Sequence, residues 1–326
     1  MKKLFLISAI AATLAACSSD NDMNGIENSK PQPILLGTSV STTMRSNSQI
    51  LQATELAVNQ TVGVYVYFTG EKETNSTANY GYKNIAYTVA NANGDLTITD
   101  TDKQPYYPED KNQQVDVYAF APQFDTTTGE LKTMTAVSFT TESDQSTDPK
   151  YNASDFVWGK TTLTPTTSST AQVIPMKHKL SKINVNIAPG TGMTLDALKG
   201  ATITLAGVNL SGKINLTDGT ATTDGTTTNT LTLTNGTSDS FKGTFKSDAD
   251  VDCYQASAVI IPQTLTSQTL KIKLSNNSEY TYSLSGSFTA EKINTYDIKI
   301  NATGLTLTTT ITAWDDSATP TTGTAE

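Results

Sequence analysis

The chain has 326 residues, a formal net charge of −9, a hydrophobic content of 37% and an aromatic content of 7%. An acidic chain of this kind has no general electrostatic attraction for nucleic acid or anionic lipid, which argues against nucleic acid as a partner. The hydrophobic content is enough for packed β cores and too low for a protein that lies within a membrane, and the length leaves room for two domains.

The N-terminus has the layout of a secretory signal. Lys2 and Lys3 precede an apolar run from Leu4 to Leu14, and small residues follow where a signal peptidase would cut. The run is shorter than the roughly 20 residues that a helix needs to cross a bilayer. Residues 1–16 are therefore predicted to be a signal peptide.

The end of this run, Leu14-Ala15-Ala16-Cys17, resembles the lipobox of bacterial lipoproteins. The resemblance implies cleavage before Cys17 and a diacylglycerol thioether on its sulfur, which would anchor the chain in the lipid of the outer membrane. The acidic segment over residues 18–22 is similar to the tethers that send some lipoproteins to the outer face of that membrane. An ordinary signal peptide with a chance cysteine is the alternative.

Arg45 is the only arginine in a sequence that otherwise uses lysine for positive charge. Residues 41–48 are mostly small and polar, the texture of an exposed loop that proteases cut. Lys30, the other basic residue in this leader, is followed by Pro31, which obstructs most trypsin-like cleavage. We therefore predict proteolytic processing between Arg45 and Ser46. A solvated linker charge is the alternative.

An apolar stripe lies just upstream of the predicted cleavage site. Alternate residues over positions 34–40 are apolar or β-branched, which is the two-residue period of a β-strand with one buried face. Cleavage after Arg45 would remove the lipid and this strand together, so residues 17–45 are predicted to be a lipidated leader with a removable strand. The stripe contains Ile34, Leu36, Thr38 and Val40.

Residues 46–172 are predicted to form an N-terminal β-sandwich, because runs rich in β-branched and aromatic residues alternate with turn residues. A polar segment over residues 142–154 is predicted to be a surface loop, and a Thr/Ser/Pro-rich stretch over residues 161–170 to be a linker. The predicted strands are Val62–Phe68, Tyr82–Val89, Leu96–Ile98, Val115–Pro122, Thr133–Thr141 and Phe156–Trp158.

Residues 173–326 are predicted to form a C-terminal β-sandwich with a terminal strand and tail. Strand-like runs continue there at short spacing, with Gly, Asn and Asp turns between them. A short helix is predicted at Thr194–Gly200, capped by Thr194 and ended by Gly200. The terminal strand, Leu305–Trp314, alternates, and its apolar face contains Leu305, Leu307, Ile311 and Ala313.

The sequence offers little of the chemistry that common enzyme classes need. His178 is the only histidine, and it lies between two lysines at the start of a strand, as a structural histidine does. One histidine and one remaining thiol, Cys253, cannot make a zinc site with the usual spacing, and Cys253 is expected to be buried. Asp248–Asp252 opens like a calcium loop but has Cys253 where that loop requires glycine. No catalytic residue, metal site or cofactor is predicted, and the chain is interpreted as a non-enzyme.

Four stretches of the chain carry a resemblance to a known family: the lipobox, Val115–Pro122, Met176–Ile183 and Ile311–Asp316. Together they resemble the fimbrillin family, the type V pilins and pilin-like lipoproteins of anaerobic Gram-negative bacteria. The resemblance implies an all-β fold of two tandem transthyretin-like β-sandwiches. It also implies export as a lipoprotein, cleavage by an extracellular trypsin-like protease and polymerisation by strand exchange. The family contains stalk, anchor and tip subunits, which these stretches do not separate.

A structural, adhesive subunit of a cell-surface fimbria is the function that these features favour. Loss of the strand over residues 34–40 would leave an apolar groove and an unpaired sheet edge, which seeks another strand. The candidate donor is the terminal strand of a neighbour, so the predicted partners are other fimbrial subunits, in a homopolymer or with tip and anchor pilins. A monomeric surface-anchored glycan-binding or adhesin lipoprotein is the alternative. It needs exposed aromatic residues, but Trp158 and Trp314, the only tryptophans, are expected in the core.

Overall fold

The structure is a computed structural model that describes residues 31–40, 56–70, 81–124, 134–225, 228–234, 240–245, 248–313 and 321–323. Cys17, Arg45, Ser46 and Trp314 lie outside these residues, so their predicted roles stay predictions. The described residues belong to one compact unit, residues 31–326.

The described part of the chain is almost entirely β-structure, which confirms the all-β prediction. β-Branched and aromatic residues favour strands because they pack well on a pleated, half-buried surface. The strands of the first half are β1 (Leu36–Val40), β2 (Thr61–Phe68), β3 (Tyr82–Val89), β4 (Leu96–Ile98), β5 (Val115–Ala121), β6 (Val137–Thr140), β7 (Val157–Leu163) and β8 (Gln172–His178).

The second half continues with strands of similar composition. They are β9 (Ser181–Pro189), β10 (Thr202–Val208), β11 (Ser211–Asn215), β12 (Thr220–Thr223), β13 (Asn229–Thr232), β14 (Phe241–Phe245), β15 (Asp248–Ile260), β16 (Gln263–Lys273), β17 (Glu279–Phe288), β18 (Lys292–Asn301), β19 (Gly304–Ala313) and β20 (Thr321–Gly323). The acidic run over residues 248–252 therefore belongs to a strand and does not form a loop.

In the part of the chain that the structure describes, two short α-helices interrupt the strands. The predicted helix is confirmed as α2 (Leu195–Leu198), whose N-cap Thr194 accepts a hydrogen bond from the Ala197 amide. The surface-loop prediction for residues 142–154 is wrong in its second half, where α1 (Asp148–Ser154) forms with a proline in its first turn. No described helix is long and apolar enough to cross a membrane.

The linker prediction is also wrong at its start. Residues 161–163 belong to β7, since β7 pairs with β5 as far as the partners Leu163 and Val115. The composition of residues 161–163 is typical of a loop, but these residues lie beside β5, whose residues are all buried. The buried backbone groups of β5 need hydrogen-bond partners, and β7 supplies them.

Among the described residues the strands form four sheets. Their orders are β1-β8-β7-β5-β2-β3-β4, β13-β10-β16-β17, β12-β11-β6 and β14-β15-β9-β18-β19-β20. One hydrophobic core lies between the four-stranded and six-stranded sheets, and another joins the outer face of the seven-stranded sheet to the three-stranded sheet. A third core, enclosed by the seven-stranded sheet, contains Ile34, Leu36 and Val40.

Strands on both sides of the predicted domain boundary share sheets. β8 begins at the boundary between residues 172 and 173, and it pairs with β1 and β7. β6 pairs with β11, which lies in the second half of the chain. The division at residue 172 and the transthyretin-like topology stay predictions.

Candidate functional site: the groove that holds the N-terminal strand

β1 is held along one side by β8. The two strands are parallel, in a register that runs from Leu36 opposite Gln172 to Val40 opposite Met176. Just before this ladder, the Gln172 amide donates to the Leu35 carbonyl at 2.8 Å. Parallel strands need long connections. Here β2 to β7 lie between β1 and β8 in the chain.

The other side of the leader strand is hydrogen-bonded to loops of the same sheet. The Thr38 amide donates to the Gly94 carbonyl at 2.8 Å, and the Ile34 amide donates to the Pro105 carbonyl at 2.8 Å. The Gln104 side-chain amide donates to the Ile34 carbonyl at 3.1 Å. The segment is therefore bound on both sides, and it joins the β8 edge of the seven-stranded sheet to the β4 edge. We call the space that it fills the leader groove, bordered by β8 and by residues 94–107.

The four side chains of the predicted stripe all point into the enclosed core. Ile34 is 0% exposed, Leu36 1%, Thr38 2% and Val40 6%. Burial of an Ile, Leu or Val side chain stabilises a fold by about 1.5–3 kcal/mol. The leader strand is thus held by apolar burial and by backbone hydrogen bonds together.

A tight turn positions the Gly94 carbonyl. The Asn91 side-chain oxygen accepts hydrogen bonds from the Asn93 amide at 2.9 Å and the Asp95 amide at 3.4 Å. Gly94 has a φ of +79°, a conformation that favours glycine. The contact between Gly94 and Thr38 could not be found from the sequence, because the two positions are 56 residues apart.

Tyrosine side chains form part of the core under the leader strand. Tyr87 is 2% exposed and Tyr107 is 7% exposed. Burial raises the pKa of both hydroxyl groups, and the neighbouring Tyr82 adds to the effect at Tyr87. Both side chains therefore stay neutral at physiological pH, and they add no charge to the leader groove.

The candidate donor strand, β19, pairs in its own chain with β18, and Leu307 lies opposite Ile298. Leu305 is partly buried against the core of the second half, whereas Ile311 is 40% exposed. Ala313 pairs with Lys292 at the far end of the ladder. The donor role of Leu305, Leu307, Ile311 and Ala313 stays a prediction.

The histidine and the cysteine are both buried. His178 is 8% exposed, and its Nδ1 lies 2.7 Å from an Asp155 carboxylate oxygen. Cys253 is fully buried, as expected. Within the described chain, no three His, Cys, Asp or Glu side chains are grouped as a metal ion would require.

Trp158 is partly buried, and its indole is in contact with protein. The indole nitrogen donates to the Leu216 carbonyl at 2.8 Å. The Lys179 ammonium lies 5.3 Å from the ring centroid, and Gly219 packs so closely that an added Cβ would lie 2.8 Å from the ring. This ring is held in the structure and does not form an open platform for a sugar.

A family model described as Fimbrillin-like matches residues 44–314 of the chain. A search of curated proteins finds no match. Among solved structures, a candidate cell adhesion protein from Bacteroides ovatus superposes with a TM-score of 0.65 and 18% identity, over 87% of this chain and 98% of that one. A candidate cell adhesion protein from Bacteroides uniformis gives a TM-score of 0.62 and 19% identity, over 86% of this chain and 98% of that one. At such low identity these likenesses describe the fold alone.

Proposed function

Since the chain belongs to the fimbrillin-like family, we propose that it is a structural, adhesive subunit of a cell-surface fimbria. The chain is exported as a lipoprotein, attached to the outer membrane through Cys17, and cut after Arg45 by an extracellular trypsin-like protease. Its partners are other fimbrial subunits, which it joins by β-strand exchange, and it performs no catalysis.

One observation supports this proposal above the others: the leader strand fills a gap between two edges of one sheet. The strand belongs to the segment that cleavage after Arg45 would release. Its departure would unpair backbone groups of Gln172, Gly94 and Pro105, which now bond to it. It would also expose a core lined by side chains that are now almost fully buried. Unpaired edges and apolar grooves of this kind bind an added strand.

The alternative, a monomeric glycan-binding lipoprotein, has weaker support. Trp158 is covered by Gly219 and Lys179. The exposed large hydrophobic residues of the described chain include a single aromatic one, Tyr106, which is 37% exposed. Sugar binding by ring stacking needs an open aromatic face. The ring of Trp158 is covered, and Tyr106 by itself does not form an extended array of rings.

Limited trypsin treatment of the chain that begins at Ser18 tests the proposal. We expect one early product that begins at Ser46, followed by a ladder of polymers on unheated gels. An Arg45→Gln chain is the matched control and should stay uncut and monomeric. Rapid cleavage within the domains while the leader stays intact, or a product that begins at Ser46 and stays monomeric, would contradict the proposal.

A further inference from the structure

The leader groove contains one polar position among three apolar ones. The first, second and fourth inward side chains of the bound strand are Ile34, Leu36 and Val40, and the third is Thr38. Thr38 is bound twice to the same acceptor: its amide donates to the Gly94 carbonyl at 2.8 Å and its hydroxyl donates at 3.2 Å. A strand that replaces β1 therefore meets four side-chain sites in a fixed order. The first, second and fourth sites are apolar, and the third accommodates a hydroxyl group.

The terminal strand carries the same order of residues. Side chains of a strand alternate between two faces, so every second residue shares a face. On one face, residues 305–311 present two leucines, a threonine and an isoleucine, in the order of the four inward residues of the leader strand. These residues are Leu305, Leu307, Thr309 and Ile311.

Other alignments of the terminal strand fit the leader groove less well. A shift of two residues in one direction places Thr309 in the Leu36 site, and a shift in the other direction places Leu307 in the Thr38 site. The opposite face offers only threonines at positions 306, 308, 310 and 312, which leaves three apolar sites without apolar side chains. Each of these registers buries at least one threonine hydroxyl in an apolar site, where a hydroxyl without a partner is costly, so they are disfavoured.

We propose that Thr309 of a second copy occupies the Thr38 site and fixes the register in which the terminal strand fills the leader groove. This inference rests on the proposed function. Leu305 then replaces Ile34, and the Thr309 hydroxyl donates to the Gly94 carbonyl. Ile311 is 40% exposed in its own sheet, and it moves into the Val40 site, where the present side chain is 6% exposed. The move thus buries an apolar side chain that the free chain leaves partly in water.

On the outward face, the Gly37 position accepts a Cβ atom. In this register Thr308 takes the place of Gly37, which lies opposite Val173 of β8. A Cβ at Gly37 would come no closer than 3.6 Å to any neighbour, which is an ordinary contact. Val173 is 58% exposed and Gly37 is buried, so the pair is open to solvent on its Val173 side.

A cysteine pair tests the register directly. Neighbouring strands lie about 4.7–4.9 Å apart, within the range that a disulfide spans, whereas a shift of two residues adds about 6.6 Å. Chains with Val173→Cys and Thr308→Cys should form a covalent ladder on denaturing, non-reducing gels after trypsin treatment and oxidation. The matched pair, Val173→Cys with Thr310→Cys, should not, and neither pair should cross-link between uncut chains.

A second variant tests the hydroxyl itself. Thr309→Val keeps the shape of the side chain and removes the donor, so we expect assembly to slow about tenfold. Thr306→Val, on the opposite face, should change the assembly rate by less than about twofold. Equal rates for both variants, or a ladder from the Thr310→Cys pair, would overturn the register while polymers still form. If the unmodified chain forms no ladder on unheated gels, the proposed function itself fails.

Discussion

At the scale of single residues, Lys182 on β9 is an ionisable side chain buried inside the protein. It is 1% exposed, and its ammonium lies 5.7 Å from the centroid of the Tyr151 ring. Burial lowers the pKa of Lys182 to about 8, and the charge of Asp155 opposes this shift in part. Asp155 itself is paired with His178. The folded chain therefore holds this amine in a site that disfavours its charged form.

We predict that Lys182→Met stabilises the chain at pH 7 by on the order of 1–3 kcal/mol, since one pKa unit corresponds to about 1.4 kcal/mol. The pKa of Lys182 is lower in the folded chain than in the unfolded one, so the unfolded chain binds more protons between pH 8 and the usual value of 10.5. The stability of the unmodified chain should therefore rise across that window relative to the variant.

Chemical denaturation of both chains at several pH values measures this difference. The advantage of the variant should shrink as the pH rises from 8 towards 10. Lys213→Met, at a lysine whose side chain is 41% exposed, is the control for the loss of a lysine outside the core. A constant difference at all pH values would show that Lys182 does not carry the burial penalty.

At the scale of elements, the leader groove depends on the spacing between β7 and β8. Gly159 of β7 lies opposite Met176 of β8. A Cβ added at Gly159 would lie 2.3 Å from the Pro175 carbonyl oxygen, which belongs to the backbone and cannot turn aside. Glycine is required here because β8, which carries one wall of the groove, passes so close.

Gly159→Ala should therefore destabilise the chain by about 1–3 kcal/mol, the usual cost of overpacking. Gly304→Ala is the matched control, since no atom lies within 4 Å of its added Cβ. Thermal unfolding of both variants measures the effect. If Gly159→Ala unfolds at the temperature of the control, β7 and β8 are not held at this spacing in solution.

A second prediction at this scale concerns β1. Leu36→Asp places a charge in the enclosed core at a cost of several kcal/mol, so we expect β1 to leave the leader groove. The Gln172 amide, which bonds to the Leu35 carbonyl, should then lose its protection from hydrogen exchange. Leu35→Asp, on the other face of the strand, should keep most of that protection. Protection in the Leu36→Asp chain equal to that of the unmodified chain would contradict the packing described for β1.

At the scale of the whole molecule, the two ends of the chain have different tasks in the proposed assembly. The leader holds the groove closed until cleavage, and the terminal strand fills the groove of a neighbour. The leader strand pairs with β8, whereas the terminal strand pairs with β18 in a different sheet. One end can therefore be removed without breaking the sheet that contains the other.

Truncation after Gly304 is predicted to leave a folded chain that accepts a strand and donates none. Loss of β19 removes the partly buried Leu305 and leaves β18 as an outer strand, so a modest loss of stability is expected. Mixed with cut, unmodified chain, the truncated chain should shorten the ladder on unheated gels in proportion to its share. Normal polymers without residues 305–326, or a truncated chain that fails to fold, would contradict the donor role of the terminal strand.

Lipid attachment is predicted at the same scale. Cys17→Ala should abolish acyl labelling and move the protein out of the membrane fraction, because the thioether needs the Cys17 sulfur. Cys253→Ala is the matched control and should leave labelling unchanged, since that thiol is fully buried. Unchanged labelling of the Cys17→Ala chain would refute the lipoprotein interpretation.

The sequence by itself determined the strand content, the buried stripe of the leader and the short helix at Thr194. These features are local: a two-residue period and a capping residue can be read within a few positions. Only the tertiary structure decided that β1 pairs with β8, that Gly94 accepts from Thr38, and that α1 forms beside a buried Lys182. Such features depend on residues far apart in the chain, and packing between them overrides local composition. For the same reason, the sequence predicted that removal of the leader strand would leave a groove. Only the fold showed that β8 and residues 94–107 border that groove.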